Sequence, residues 1–164
     1  MVNEDETARN QLMLSLCRND QEEQLAELVK ESTVNANYKD GAGNTAAHYA
    51  ANSGAIGCLE VLVNLDEIDL DIKNALEGDT PLHKAVQFQE TDVPMAVAMV
   101  ELLLAGGADP SILNRNKLTA LQLVHPQNTA LKELLEQGAT SYQMDDSDIA
   151  DDDAYGDEDD QASD

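Results

Sequence analysis

Three histidines, two cysteines and 33 acids are the groups in this 164-residue chain that could support acid–base, nucleophilic or metal chemistry. Two of the histidines close tetrapeptides of one pattern, Thr45-Ala46-Ala47-His48 and Thr80-Pro81-Leu82-His83, set 35 residues apart, each with a glycine two residues upstream. Catalysis or zinc binding needs His, Cys, Asp or Glu converging at ligand spacing, and no such cluster is legible. Gly41-Ala42-Gly43 does not lead into the Gly-Lys-Ser of a phosphate loop, and neither a nucleophile elbow nor a paired-carboxylate motif is present. His125, just before Pro126, reads as an exposed helix-end residue. The expectation is therefore no enzyme: no catalytic residue, no metal and no cofactor.

Histidines repeated at this interval need repeated elements to place them. Gly78 suits a hairpin tip with positive φ, Thr80 can cap the next helix through its hydroxyl, and Pro81 fits a first turn in which its missing N–H has no partner. Leu82, Ala85 and Val86 then recur on one face, and a second aliphatic helix around Val100–Ala105 is stopped by Gly106-Gly107, with Pro110 beyond. About six extra residues between Phe88 and Met95 stretch the gap from Thr80 to Thr119 to 39 residues. They predict an exposed loop, with Pro94 in the first turn of the helix that follows.

The unit before it runs from Asp40-Gly41-Ala42-Gly43-Asn44 to a second helix at Cys58–Val63. Ala46 and Ala47 stand there in place of Pro and Leu, a loss of about 2 kcal/mol of burial that leaves the repeat softer unless neighbours fill the space. In the last unit Lys117 takes the turn-glycine place and Gln122 the histidine place, departures that suit a cap with one solvent face. A first unit without the tetrapeptide, from Leu12 to Lys30, reads as the other cap.

The Thr-Pro-Leu-His signature and its period of about 33 residues make the chain resemble the ankyrin-repeat family. The resemblance implies an all-α repeat solenoid of about four helix pairs with hairpin loops, covering 6–139 as units 6–37, 38–72, 73–111 and 112–139. It implies that Thr45, His48, Thr80, Pro81, Leu82 and His83 are framework residues. It also implies a partner-binding surface of hairpin tips and first helices. That surface takes Lys39, Asp40, Ala42 and Asn44 with Tyr49, Asn52 and Ser53 from one unit. The next contributes Ala75, Leu76, Glu77 and Asp79 with Lys84, Gln87 and Phe88, and the last Arg115, Asn116 and Leu123. Tyr49 and Phe88 are the candidate anchors, since rigid aromatics dominate binding hot spots, although Phe88 could equally cover the inserted segment.

Residues 140–164 are expected to form a disordered acidic tail, because from Ser141 onward eleven acids occur with no lysine or arginine. Removing those eleven leaves 22 acids against nine bases, so the repeat region carries −13 of the total −24. Such a charge disfavours nucleic acid and anionic membrane, and a basic protein is the electrostatic expectation for a partner. The tail's 24 residues could reach about 25–30 Å as a coil and speed encounter with such a client. Cys17 and Cys58 lack Cys-x-x-Cys spacing and read as reduced core thiols, the start Met1-Val2-Asn3-Glu4 does not resemble a signal peptide, and no apolar run is long enough to span a membrane. The expected protein is a monomer of cytosol and nucleus that binds proteins. Acidic escort of a ribosomal protein or histone and an adaptor role in a signalling or ubiquitin-ligase complex are the alternatives.

Overall fold

The computed structural model describes the backbone of residues 4–150 and side chains as far as residue 142. Seven α-helices and two short 3-10 helices make up the described residues, which contain no strand: α1 (Glu4–Arg18), α2 (Glu22–Glu31), α3 (Ala46–Ser53), α4 (Ile56–Val63), α5 (Pro81–Gln87), α6 (Val93–Ala105) and α7 (Thr129–Ala150). First helices stack as α1 on α3 on α5, second helices as α2 on α4 on α6 on α7, and this two-layer helical stack holds one continuous core. That core is aliphatic and small: Leu25, Leu59, Leu62, Leu82, Met99, Leu103 and Leu131 are buried, along with a run of alanines. Ala46, Ala47, Ala50 and Ala51 are all buried, so α3 is a helix of small residues seated between α1 and α5.

Both tetrapeptides start helices by the same reciprocal cap. Thr45 Oγ1 accepts from the His48 N–H, while the Thr45 N–H donates to His48 Nδ1 at 3.0 Å. Thr80 and His83 repeat the arrangement at the head of α5, where Pro81 occupies the first turn. Gly54 ends α3 in the left-handed region at φ 70°, and a Cβ there would fall 2.5 Å from Cζ of the Phe88 ring. Glycine is thus required at 54 twice over, for the backbone and for the ring that lies against it.

Three expectations need correction. The inserted segment is only in part an exposed loop: Glu90, Thr91 and Asp92 are exposed, but Phe88–Glu90 forms a 3-10 helix and Gln89 is buried, because the Gln89 amide finds partners in the last unit. Its Nε2 donates to the Leu123 carbonyl at 2.8 Å, and its Oε1 accepts from the His125 N–H at 3.1 Å and Asn128 Nδ2 at 2.7 Å. The last unit's first helix is a single 3-10 turn, Leu121–Leu123; Val124 is extended, and the residue before Pro126 is sterically disfavoured from continuing a helix. Finally, α7 does not stop at Gly138-Ala139 but continues to Ala150. Gly138 lies where a Cβ would meet the Leu104 side chain at 2.9 Å, so there it marks close packing on α6 rather than a helix end. Residues 151–164, the remainder of the expected tail, lie outside the described residues.

Candidate functional site

The hairpin tips are built on one acceptor per unit. The carboxylate or amide oxygen of Asp40 accepts from the N–H groups of Ala42 and Asn44, that of Asn74 from Glu77 and Asp79, and that of Asn114 from Asn116 and Leu118. Each fold-back closes over a positive φ, at Gly43, Gly78 and, in the last unit, Lys117 at 63°. Backbone bonds then join tip to tip: the Ala75 N–H donates to the Ala42 carbonyl and the Arg115 N–H to that of Glu77, both at 2.9 Å. The second tip is one residue longer than its neighbours, and the extra residue, Leu76, is 76% exposed, the most exposed large hydrophobic among the described residues.

The histidines are internal and couple one unit to the next. Because His48 Nδ1 accepts from Thr45, its proton sits on Nε2, which donates to the Asp79 carbonyl at 2.8 Å; His83 Nε2 likewise reaches the Leu118 carbonyl at 2.9 Å. Burial pushes the His48 imidazole below its ordinary range, with the Asp79 carbonyl opposing that shift. Both rings are 1% exposed. No group of three or more His, Cys, Asp or Glu among the described residues could hold a metal. Cys17 and Cys58, far apart in sequence, meet as buried neighbours across α1 and α4; burial raises both thiols, Cys58 to about 11. Thiols held protonated in this way are poor nucleophiles.

Several residues expected on the binding surface instead belong to this framework. Asp79 is 1% exposed: one oxygen accepts from Asn114 Nδ2 at 3.0 Å, the other from Gln87 Nε2 at 2.9 Å, with Lys84 Nζ 3.7 Å away. A carboxylate with those partners is satisfied internally and unavailable to a ligand. Asn44 passes its oxygen to Asn74 Nδ2, and Leu123 gives its carbonyl to Gln89. Tyr49 is half-buried between two groups of its own chain: its hydroxyl donates to the Asp40 carboxylate, and the Arg18 guanidinium lies 5.4 Å from the ring centroid. Partial burial draws the Asp40 carboxyl upward, but the Tyr49 hydroxyl and the tip amides more than offset it and hold that carboxyl low.

The outward set is smaller. Lys39, Ala42, Asn52, Ala75, Leu76, Glu77, Arg115 and Asn116 are exposed, and Ser53, Lys84, Gln87 and Phe88 are half-buried. Ser53 donates to the Arg18 carbonyl at 2.9 Å, while Lys84 pairs with Glu77 at 3.0 Å, an interaction that holds the Glu77 carboxyl below its ordinary range. Asn52, Lys84, Gln87 and Phe88, with Glu90 and Thr91 from the insertion, line a depression of about 390 Å³. Sequence reasoning missed Asn74, Asn114 and Gln89. The first two stand in the register of Asp40 and were findable by that alignment, whereas the partners of Gln89 lie 34 to 39 residues away and leave no local signal.

Comparison with known proteins agrees with this architecture. The profile described as "Ankyrin repeats (3 copies)" matches residues 12–95, and that described as "Ankyrin repeat" matches 77–115. The ankyrin repeat-containing protein YGL242C of Saccharomyces cerevisiae is 34% identical over 120 residues, 71% of this chain and 62% of that protein. The SMC5-SMC6 complex localization factor protein 1 of Homo sapiens is 32% identical over 73% of this chain, which spans 11% of it. Among solved structures, the ankyrin repeat protein EF0377 superposes with a TM-score of 0.68 at 29% identity, over 76% of this chain and 62% of that one. This chain therefore spans about three fifths of the yeast relative and about a tenth of the human one. With the profiles covering more than half its length, and with paired helices, capped tips and histidine couplings repeated in register, the chain belongs to the ankyrin-repeat family, a family of protein–protein interaction modules.

Proposed function

We propose that this chain is a non-enzymatic binding module that receives a protein partner on the face formed by its hairpin tips and first helices. The observation carrying this reading is the division of labour within the repeats. The buried His, Asn and Asp side chains are consumed by internal hydrogen bonds, whereas the side chains of Leu76 and Asn52 point outward as exposed groups of the tip and first-helix face. Solenoids present such tips and helices as an extended concave surface. Leu76, the extra residue of the longest tip, adds exposed apolar area to that surface. The test is capture from native lysate with the full chain and with Leu76→Ala and Asn52→Ala variants, checked for unchanged thermal melting. Loss of one specific protein from both variants supports the reading, and full retention contradicts it.

A second reading, escort of a basic client, is favoured by the net charge of −24 and the run of acids after Ser141. Acidic fields of this kind accelerate encounter with basic proteins. Amidating the eight acids of residues 151–164 and eluting along a salt gradient separates the two readings. A basic client leaves early from the amidated chain, whereas a partner of an adaptor stays bound through high salt. The name of the human relative, a complex localization factor, agrees with a nuclear place of action, which we include in the proposal alongside the cytosol.

A further inference from the structure

We infer that the depression between α3, α5 and the inserted 3-10 helix is a socket for a cationic side chain of the partner, an arginine in preference to a lysine. This inference rests on the reading of the tip and first-helix face as the binding surface. The socket exists because of the insertion. Phe88 is held in place by its contact with Gly54 and forms one wall; Asn52 at the end of α3 and Gln87 at the end of α5 contribute amides, and Glu90 and Thr91 close the far side.

Its chemistry selects a cation. Two charged side chains line it, Lys84 and Glu90; the Lys84 ammonium is already engaged from outside the lining by Glu77 at 3.0 Å and Asp79 at 3.7 Å. Glu90 meets His125 through one oxygen and is 67% exposed, so its other oxygen is open to a donor. An aromatic wall beside an exposed carboxylate is the pairing that holds a guanidinium, by stacking on the ring and a charge-assisted bond to the carboxylate. A planar guanidinium uses both walls at once, whereas an ammonium offers only a point charge. With the chain at −24, an anionic occupant is repelled and a cationic one drawn in.

The probe is N-acetyl-arginine-methylamide, titrated into the full chain while backbone and side-chain amide shifts are followed by NMR, with the neutral citrulline analogue and the lysine analogue alongside. Following individual amides is essential because the acids beyond Ser141 attract any cation weakly. The expected result is saturable shifts at Asn52, Gln87, Phe88 and Thr91 for arginine, smaller ones for lysine and none for citrulline. Glu90→Gln should weaken arginine binding about two- to fivefold, the loss of one exposed charge pair with the Phe88 wall left in place. The one side-chain bond that variant alters is that to His125, at an exposed position, so it stays interpretable even if Phe88→Leu loosens the packing on Gly54. Equal shifts for arginine and citrulline, no shift at these residues, or Glu90→Gln binding arginine as tightly as the parent chain would overturn the assignment. Lysate capture by the Leu76 variant, which lies outside the socket, reads the surface and the titration reads the socket, so failure of one reading is distinguishable from failure of the other.

Discussion

The two middle units and the last unit use the same slots for different residues. In the middle units a histidine accepts its own capping N–H through Nδ1 and donates to the next unit through Nε2. Gln122, in the corresponding place of the last unit, performs only the first half: its Oε1 accepts from the Thr119 N–H at 2.8 Å, and its own N–H returns to Thr119 Oγ1. The histidine is kept where there is a following tip to reach, and a glutamine serves where only a local cap is needed. Coupling between units, rather than helix capping alone, is what the imidazole adds.

The sharpest way to break that comparison is to remove both side chains in turn. His83→Ala should cost about 3 kcal/mol, because a reciprocal cap is lost, the buried Thr80 N–H is left without its partner and the Leu118 carbonyl keeps only the Asn114 N–H of its two donors. Gln122→Ala, at an exposed site, should cost about 1 kcal/mol or less; equal costs in urea unfolding would contradict the division of roles. Next in size is Gln89→Ala, expected to cost about 2 kcal/mol through three lost hydrogen bonds. Hydrogen exchange should then rise across the Leu121–Leu123 turn and the start of α7 before it rises in α3. Lys117→Gly should stabilise by about 1 kcal/mol, since glycine adopts φ 63° without the steric cost borne by lysine.

Acidity sharpens the comparison further. The unfolded chain protonates His48 at its ordinary value, the folded chain only at lower pH, so stability is full above about pH 6.5 and declines as pH falls below it. The low carboxyls of Glu77 and Asp40 add to the loss only below about pH 4.5. His48→Gln should flatten the first part of that decline in a series of urea melts. The smallest effect concerns Asp71, whose carboxyl is raised by burial although it accepts from the Asp109 N–H at 2.8 Å. Asn37 already does this work one unit earlier, accepting from the Asp69 N–H. Asp71→Asn should therefore keep the bond, shed a partly buried charge and raise Tm by up to about 2 °C at neutral pH.

What was legible in the sequence follows the range of the forces involved. Helix starts at Thr45 and Thr80, the Pro94 first turn and the tips at Gly43 and Gly78 depend on residues a few places apart, and local chemistry reveals them. Lys117 in the glycine slot takes the same positive φ, so the register of the last unit was readable even where its residues changed. The role of Gln89 and the burial of Asp79 depend on partners in the following unit, and no local pattern announces them. Gly138 misled because a helix-stopping residue is also the residue that lets two helices approach, and Leu104 decides between those roles. Of the two aromatic anchors, Tyr49 is taken up by Arg18 and Asp40, while Phe88 is fixed against Gly54 and still faces a depression.

The most direct test of the account is site-specific photo-crosslinking in living cells, with a benzophenone amino acid placed at Leu76 or Asn52 on the tip and first-helix face, and at Glu60 or Glu101, exposed on α4 and α6 in the second-helix layer. The account predicts one protein crosslinked from Leu76 and Asn52 and not from the other two. The same protein captured from Glu60 and Glu101 but not from Leu76 or Asn52 would contradict it.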